Sequence, residues 1–270
     1  MDILNYTSGA RIRRRRLMTG LGMLTLAGMS QGAAAETIDT GRTFVLIHNG
    51  FAGGWVWADV ARDLRSAGHR VFAPTLTGLG ERAHLATPEV GLDTHIQDIL
   101  GVFECEELSD VIVVASSSSS MVAAGVAERI PEAMTRLVYI DTIEPADGQS
   151  WVDLMTPAVA APLLAAAKEF GDGWRVPRRD VEPPRWVAHP LRSVTDPLKV
   201  ANSAAALIPR SYVHATAKPE GWFFGLGAVI DAFAGTVRTR GWDIHEIASD
   251  HLPQLSAPRA LAAILNSMAT

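Results

Sequence analysis

From residue 44 onward, short runs of unbroken apolar side chains recur between stretches with helical periodicity, and this alternation restricts the fold more than any other feature of the chain. Phe44-Val45-Leu46-Ile47, Arg70-Val71-Phe72-Ala73, Val111-Ile112-Val113-Val114 and Leu137-Val138-Tyr139-Ile140 read as strands. Their apolarity is continuous rather than alternating, so both faces need covering, as in a parallel sheet wrapped by helices. Trp55 to Ala67 reads as an amphipathic helix ended by Gly68, and Met121 to Arg129 as a second. Two more strands follow at Ser211–His214 and Trp242–Ile247, with helices from Leu226 to Val237 and from Ala257 to Met268. The expected class is α/β, a mostly parallel central sheet flanked by helices. Between Gln149 and Ile208 the text changes to Ala/Leu-rich helical pieces broken by Pro177, Pro183, Pro184 and Pro190. That stretch reads as a small helical cap, residues 149–208, set into a core of residues 36–148 and 209–270.

The first 35 residues read as an export signal rather than as part of the fold. Arg11 to Arg16 is basic, the apolar run Leu17 to Met29 is about 13 residues long, and Ala33-Ala34-Ala35 ends it in a cleavage pattern. The run is shorter than the ~20 residues that span a bilayer. Paired arginines ahead of it resemble a twin-arginine signal, so a periplasmic or secreted protein is expected after cleavage near Ala35, with no stable membrane anchor. The competing reading is a basic amphipathic helix that stays attached. Hydrophobic residues make up 48% and charged residues 20%, which suits a packed enzyme, not a disordered chain. A net charge of -5 without a basic patch argues against nucleic acid and leaves small neutral or weakly charged substrates open; a small-molecule ester substrate and a monomer or homodimer are expected. Cys105 is the single cysteine, so no intrachain disulfide forms. No His/Cys/Glu group has ligand spacing, so neither a metal nor a cofactor is implied.

Asp110 to Met121 reads D-V-I-V-V-A-S-S-S-S-S-M. A run of five serines suggests a flexible linker, but this one lies between a buried strand and an Ala/Val helix, with no Gly or Pro padding. A strand-to-helix turn is where a strained nucleophile sits, and the turn demands small residues two before and two after it. Ala115 and Ser119 meet that demand around Ser117, and counting from the strand selects Ser117. Ser116 and Ser118 remain alternatives, as does a purely structural run.

Other motifs line up with this turn: H-N-G-F-A-G-G-W at His48 to Trp55, P-T-L-T-G-L-G-E-R at Pro74 to Arg82, G-L-D-T-H at Gly91 to His95, L-V-Y-I-D at Leu137 to Asp141 and S-D-H at Ser249 to His251. With them the chain, from Phe44 to Gln149 and from Ser211 to the end, resembles the esterase and hydroxynitrile lyase branch of the α/β-hydrolase superfamily. Bacterial esterases and plant methyl-ester esterases are the nearest match. The branch usually has His before the nucleophile and Gly after it, where this chain has serines.

The resemblance implies a division of labour. Ser117 is the nucleophile, and an oxyanion hole is formed by the N–H groups of Ser118 and of Gly50, although Asn49-Gly50 also reads as a plain turn. His251 follows the last strand and comes after Ser117 in chain order, as the base does in this fold; His48 and His95 read as structural. The acid is open. The turn after the Ser211–His214 strand, where most members carry Asp, reads A-T-A-K-P-E-G-W, with Lys218 at that place and Glu220 two positions later. Asp141 follows the strand beside the elbow and is the favoured acid, with Glu220 and Asp231 as alternatives, while Asp250 is expected to point away from His251. Phe51, Trp55, Trp151, Trp186 and Trp222 are the aromatic residues available to line a pocket. The expected reaction is hydrolysis of a carboxylic ester or lactone of a small apolar or aromatic substrate through an acyl-enzyme. The alternatives are a non-catalytic binding protein on a hydrolase scaffold and a hydroxynitrile lyase-like C–C lyase. The lyases of the branch carry Lys after the base, where Leu252 stands here.

Overall fold

A computed structural model of the chain describes residues 41–178 and 185–269; the export-signal stretch lies outside them. The strands are β1 (Thr43–Ile47), β2 (Arg70–Phe72), β3 (Val111–Ser116), β4 (Met134–Ile140), β5 (Arg175–Val176), β6 (His189–Pro190), β7 (Arg210–Ala215) and β8 (Asp243–Ile247). A six-stranded sheet runs in the order β2-β1-β3-β4-β7-β8 with every pairing parallel, and β5 and β6 pair antiparallel apart from it. The helices are α1 (Ala58–Ser66), α2 (Leu92–Cys105), α3 (Ser120–Arg129), α4 (Pro157–Phe170), α5 (Arg192–Thr195), α6 (Ser203–Ala206), α7 (Trp222–Thr239), α8 (Pro253–Ser256) and α9 (Pro258–Ser267). This is the mostly parallel, helix-flanked α/β sheet that the apolar runs imply.

Alternation along each strand divides the core into two layers. Phe44 and Leu46 of β1 pack with Ile112, Val114, Val138, Ile140 and Val213 under α1 and α9. Val45 and Ile47 pack with Val113, Ala115, Leu137, Tyr139 and Tyr212 under α2, α3 and α7. All four β1 side chains have zero exposure, and each such burial contributes about 1.5–3 kcal/mol. Because all paired strands point the same way, the loops after β1, β3, β4, β7 and β8 open at one edge of the sheet, and β1, flanked by β2 and β3, marks the point where the chain order reverses. Ligand sites of open α/β sheets lie at such a reversal.

Several boundaries differ from the reading of the sequence, for local reasons. The strand ahead of the serines runs on to Ser116. Residues 54–57 form a 3-10 turn before α1. The closing helix is α9, one residue shorter at each end than the sequence suggests because Pro258 takes its first position, and a separate single turn, α8, precedes it. Helix α2 is not among the helices read from the sequence, yet its buried stripe Leu92, Ile96, Ile99 and Phe103 keeps helical spacing. The segment between β4 and β7 holds α4, β5, β6, α5 and α6.

Gly54 marks how tightly the loop after β1 is held. A Cβ there would lie 2.1 Å from the Ala73 carbonyl oxygen, while the Gly54 N–H donates to Thr75 Oγ1 at 2.8 Å. Gly54→Ala is therefore expected to lower stability in urea unfolding by about 1–3 kcal/mol, because backbone has to move. An unchanged midpoint would contradict this packing.

Candidate active site

β3 delivers an extended Ser116, φ -113°, and the chain then turns through Ser117 at φ 57°, in the left-handed region that costs a residue with a side chain about 1–2 kcal/mol. Neighbouring serines brace that turn. The Ser119 hydroxyl accepts from the Ser116 N–H at 2.9 Å and lies 3.1 Å from the Ile47 carbonyl, tying the ends of β1 and β3 together. Thr142 Oγ1 lies 2.6 Å from the Ser117 carbonyl and 3.1 Å from Ser120 Oγ. Ser116 Oγ accepts from Gln254 Nε2 at 3.3 Å, and the same amide donates to Asn49 Oδ1 at 3.1 Å. Ser117 and Ser118, both half-buried, make no side-chain hydrogen bond among the described residues, and of the two only Ser117 sits at the left-handed turn, ahead of α3, where the helix dipole favours negative charge. Ser119→Ala, which strands the buried Ser116 N–H, is expected to cost about 1–3 kcal/mol in a denaturant titration; a cost near zero would show that the brace is idle.

His251 enters from the loop after β8, and its Nδ1 donates to Asp141 Oδ2 at 2.7 Å. That donation leaves Nε2 as the acceptor. Both side chains are buried, and the Trp222 ring packs on the imidazole with centroids 4.2 Å apart. Asp141 follows β4 at φ 44°, its N–H bonded to the Val213 carbonyl at 2.8 Å. Its Oδ1 accepts from the Ala215 N–H at 3.1 Å and from Lys218 Nζ at 2.7 Å. Glu220 is exposed and makes no ion pair or hydrogen bond among the described residues. Asp231 bonds His214 Nε2 at 2.8 Å and pairs with Lys218 at 3.0 Å. Asp250 turns toward the Leu252 N–H and the Ser256 hydroxyl, at 2.9 and 2.8 Å.

The loop after β1 approaches the elbow at Gly50, where a Cβ would lie 3.1 Å from Ser118 Oγ. The Ser118 N–H belongs to the first turn after β3, where helical donors lack internal partners. Beyond Gly50, Phe51 has φ 66°, its N–H donates to His189 Nδ1 at 3.2 Å and its carbonyl accepts from the Val187 N–H at 2.9 Å. His189, from β6, pairs through Nε2 with Ser193 Oγ at 2.6 Å. His48 bonds the Asn49 carbonyl through Nδ1 at 2.8 Å and accepts the Leu76 N–H on Nε2 at 3.1 Å. His95 Nε2 bonds the Thr77 carbonyl at 2.9 Å.

Burial keeps these histidines neutral: it pushes His48 down to about 4 and lowers His95 and His189, the last helped by its two histidine neighbours. An unfolded chain takes up these protons near pH 6.5, before the folded one does, so stability is full above pH 6.5 and declines as pH falls toward 4. Charging of His48 alone accounts for about 3 kcal/mol of that loss. Urea midpoints measured between pH 7 and 5 should drop, and His48→Gln should flatten the slope; equal slopes in the two proteins would contradict this origin.

Of the aromatic residues singled out from the sequence, Phe51 packs on the His189 ring at 5.3 Å and Trp222 on His251. Trp55 and Trp186 meet edge to face at 5.2 Å, with Arg185 over Trp55 and Arg178 over Trp186. Trp151 is 3% exposed and packs in the core layer beneath α3 and α7. The sequence reading assigned no role to His189, Lys218 or Gln254. Lys218 carried the one visible signal, a cation at the position where an acid was sought. Asp141, His214 and Asp231 offer ligand-type atoms within 4.8 Å of one another, but the Lys218 ammonium already lies against both carboxylates, so we assign no metal there.

Residues 44–264 match the alpha/beta hydrolase family, and the chain belongs to it. The carbendazim hydrolyzing esterase of Nocardioides sp. is 36% identical over 242 residues, covering 81% of this chain and 96% of that protein. An alpha-hydroxynitrile lyase of Arabidopsis thaliana is 29% identical over 103 residues, 38% of this chain and 40% of the lyase. Among solved structures, an extracellular alpha/beta-hydrolase from a Paenibacillus species superposes with a TM-score of 0.70 at 20% identity, over 84% of this chain and 98% of its own. A pyrethroid hydrolase from Sphingobium faniae gives 0.67 at 18% identity, over 84% and 97%. The chain is thus an esterase-like α/β-hydrolase. Among its described residues no helix is long and apolar enough to cross a membrane.

Proposed function

We propose that the protein hydrolyses a carboxylic ester, or a lactone, of a small apolar or aromatic substrate through an acyl-enzyme on Ser117. The observation that carries this reading is the 2.7 Å bond from His251 Nδ1 to the buried Asp141 carboxylate, on the same sheet edge as a left-handed Ser117. His251 Nε2 takes the Ser117 proton as Oγ attacks the carbonyl carbon, and Asp141 steadies the resulting imidazolium. The Gly50 and Ser118 N–H groups receive the oxyanion, at about 3 kcal/mol for each donor. The tetrahedral intermediate collapses, the alkoxide leaves with the proton from His251, and water, activated by the same imidazole, releases the acid. Phe51 and Trp222, beside the oxyanion loop and the base, would face the substrate, and residues 149–208 would act as a cap, bringing His189 to the loop that holds Gly50.

Export through residues 1–35 and action in the periplasm or outside the cell belong to the same proposal. Carbendazim, which the Nocardioides relative's name says it hydrolyses, is a direct substrate to try beside short-chain p-nitrophenyl esters. A fluorophosphonate probe is expected to label Ser117, as read by peptide mapping, and His251→Ala should abolish labelling and ester hydrolysis. Labelling of Ser116 or Ser118 instead would move the nucleophile, and no labelled serine would favour the binding-protein reading.

A further inference from the structure

The region around Asp141 contains more charge than a three-residue relay needs. Lys218 lies in the loop between β7 and α7, with its side chain 5% exposed, and its stem passes α7 where a Cβ on Gly227 would meet its Cδ at 3.7 Å. Its ammonium touches Asp141 Oδ1 at 2.7 Å, Asp231 Oδ1 at 3.0 Å and the Ala215 carbonyl. The carboxylate of Asp141 is therefore shared: Oδ2 serves His251, and Oδ1 serves Lys218 together with the Ala215 N–H. Three rigid donors hold one carboxylate, and one of them carries a full positive charge with little water to screen it.

From this geometry we infer that Lys218 is a positioning residue for the proposed ester hydrolysis: it fixes the rotamer of Asp141 and offsets part of its negative charge, so that the carboxylate holds the proton on His251 less tightly. The inference rests on the hydrolase reading of the same site. Lys218 transfers no proton; it stays an ammonium while the proton moves between Ser117, His251 and the leaving alcohol. His251 Nε2 must be free of a proton to act as base, and an unshared Asp141 carboxylate would attract positive charge on the imidazole more strongly. The groups that face this arrangement are Asp141 on the β4 side, Asp231 and Trp222 on α7, His214 and Tyr212 on β7, and His251 beyond β8. The Tyr212 hydroxyl donates to the Thr142 carbonyl at 2.8 Å. Burial, with the negative charges of Asp141 and Asp231, pushes that phenol well up, so it stays neutral. Asp231 is 52% exposed and neutralises the remainder of the ammonium's charge.

The test is the pH profile of kcat/KM for p-nitrophenyl ester hydrolysis in Lys218→Met, Lys218→Arg and Asp231→Asn, each with its melting curve. In Lys218→Met the acid limb should move up by about one pH unit, with kcat rather than KM falling, so that the loss is about tenfold greater at pH 6 than at pH 8. Lys218→Arg should restore the limb. Asp231→Asn, which leaves the ammonium to Asp141 alone, should move the limb down and covers the case in which Lys218→Met does not fold. An acid limb at the wild-type position in both Lys218→Met and Asp231→Asn overturns the inference. A wild-type protein that neither hydrolyses esters nor labels at Ser117 overturns the underlying hydrolase reading instead.

Discussion

A carboxylate with zero exposure must have every lone pair answered, and Asp141 organises the site because of that demand. Its donors come from three separate stretches of chain: the Ala215 N–H at the end of β7, the Lys218 ammonium in the following loop and the imidazole of His251 after β8. Each donor is in place only if β4, β7 and β8 lie side by side and in parallel, as the sheet order sets them. Tertiary structure and site chemistry are thus the same constraint. The sheet brings the donors together, and the buried charge penalises any arrangement that separates them.

Much of the sheet was legible because strands buried on both faces leave unbroken apolar runs, as Phe44 to Ile47 and Val111 to Val114 show. The turn at Ser117 was legible from its place between an apolar strand and the helix face that begins at Met121, although the strand itself runs two residues further than its apolar run. The acid was not. Asp141 and Glu220 are each a lone carboxylate after a strand, and only the fold tells that one is fully buried and the other exposed. His189 was also invisible, because it lies in a Pro-broken segment where nothing in the local pattern ties a histidine to a loop more than a hundred residues earlier. Helix α2 carries helical spacing in Leu92, Ile96, Ile99 and Phe103, but its first turn lies within the Gly91 to His95 motif, whose polar residues interrupt the apolar pattern.

The serine run illustrates how a low-complexity pattern becomes specific once folded. Five identical side chains occupy five different environments: Ser116 under an amide, Ser117 unpartnered, Ser118 beside Gly50, Ser119 between two strand ends and Ser120 against Thr142. Glycines in these places would leave the turn freer, whereas hydroxyls bond the backbone and hold Ser117 in its strained conformation. The neutral histidines do similar service for the opposite wall, where His189 fixes the Phe51 N–H and thereby the direction of the Gly50 loop.

The central claim is that the acid of the relay stands after β4 and not after β7. The most direct measurement is the kcat of Asp141→Asn against that of Glu220→Gln with one p-nitrophenyl ester at pH 8. The account predicts a loss of roughly 10⁴-fold for Asp141→Asn, since an amide in that place no longer holds the productive imidazole tautomer, and near wild-type turnover for Glu220→Gln. Activity retained in a folded Asp141→Asn protein and lost in Glu220→Gln would contradict it.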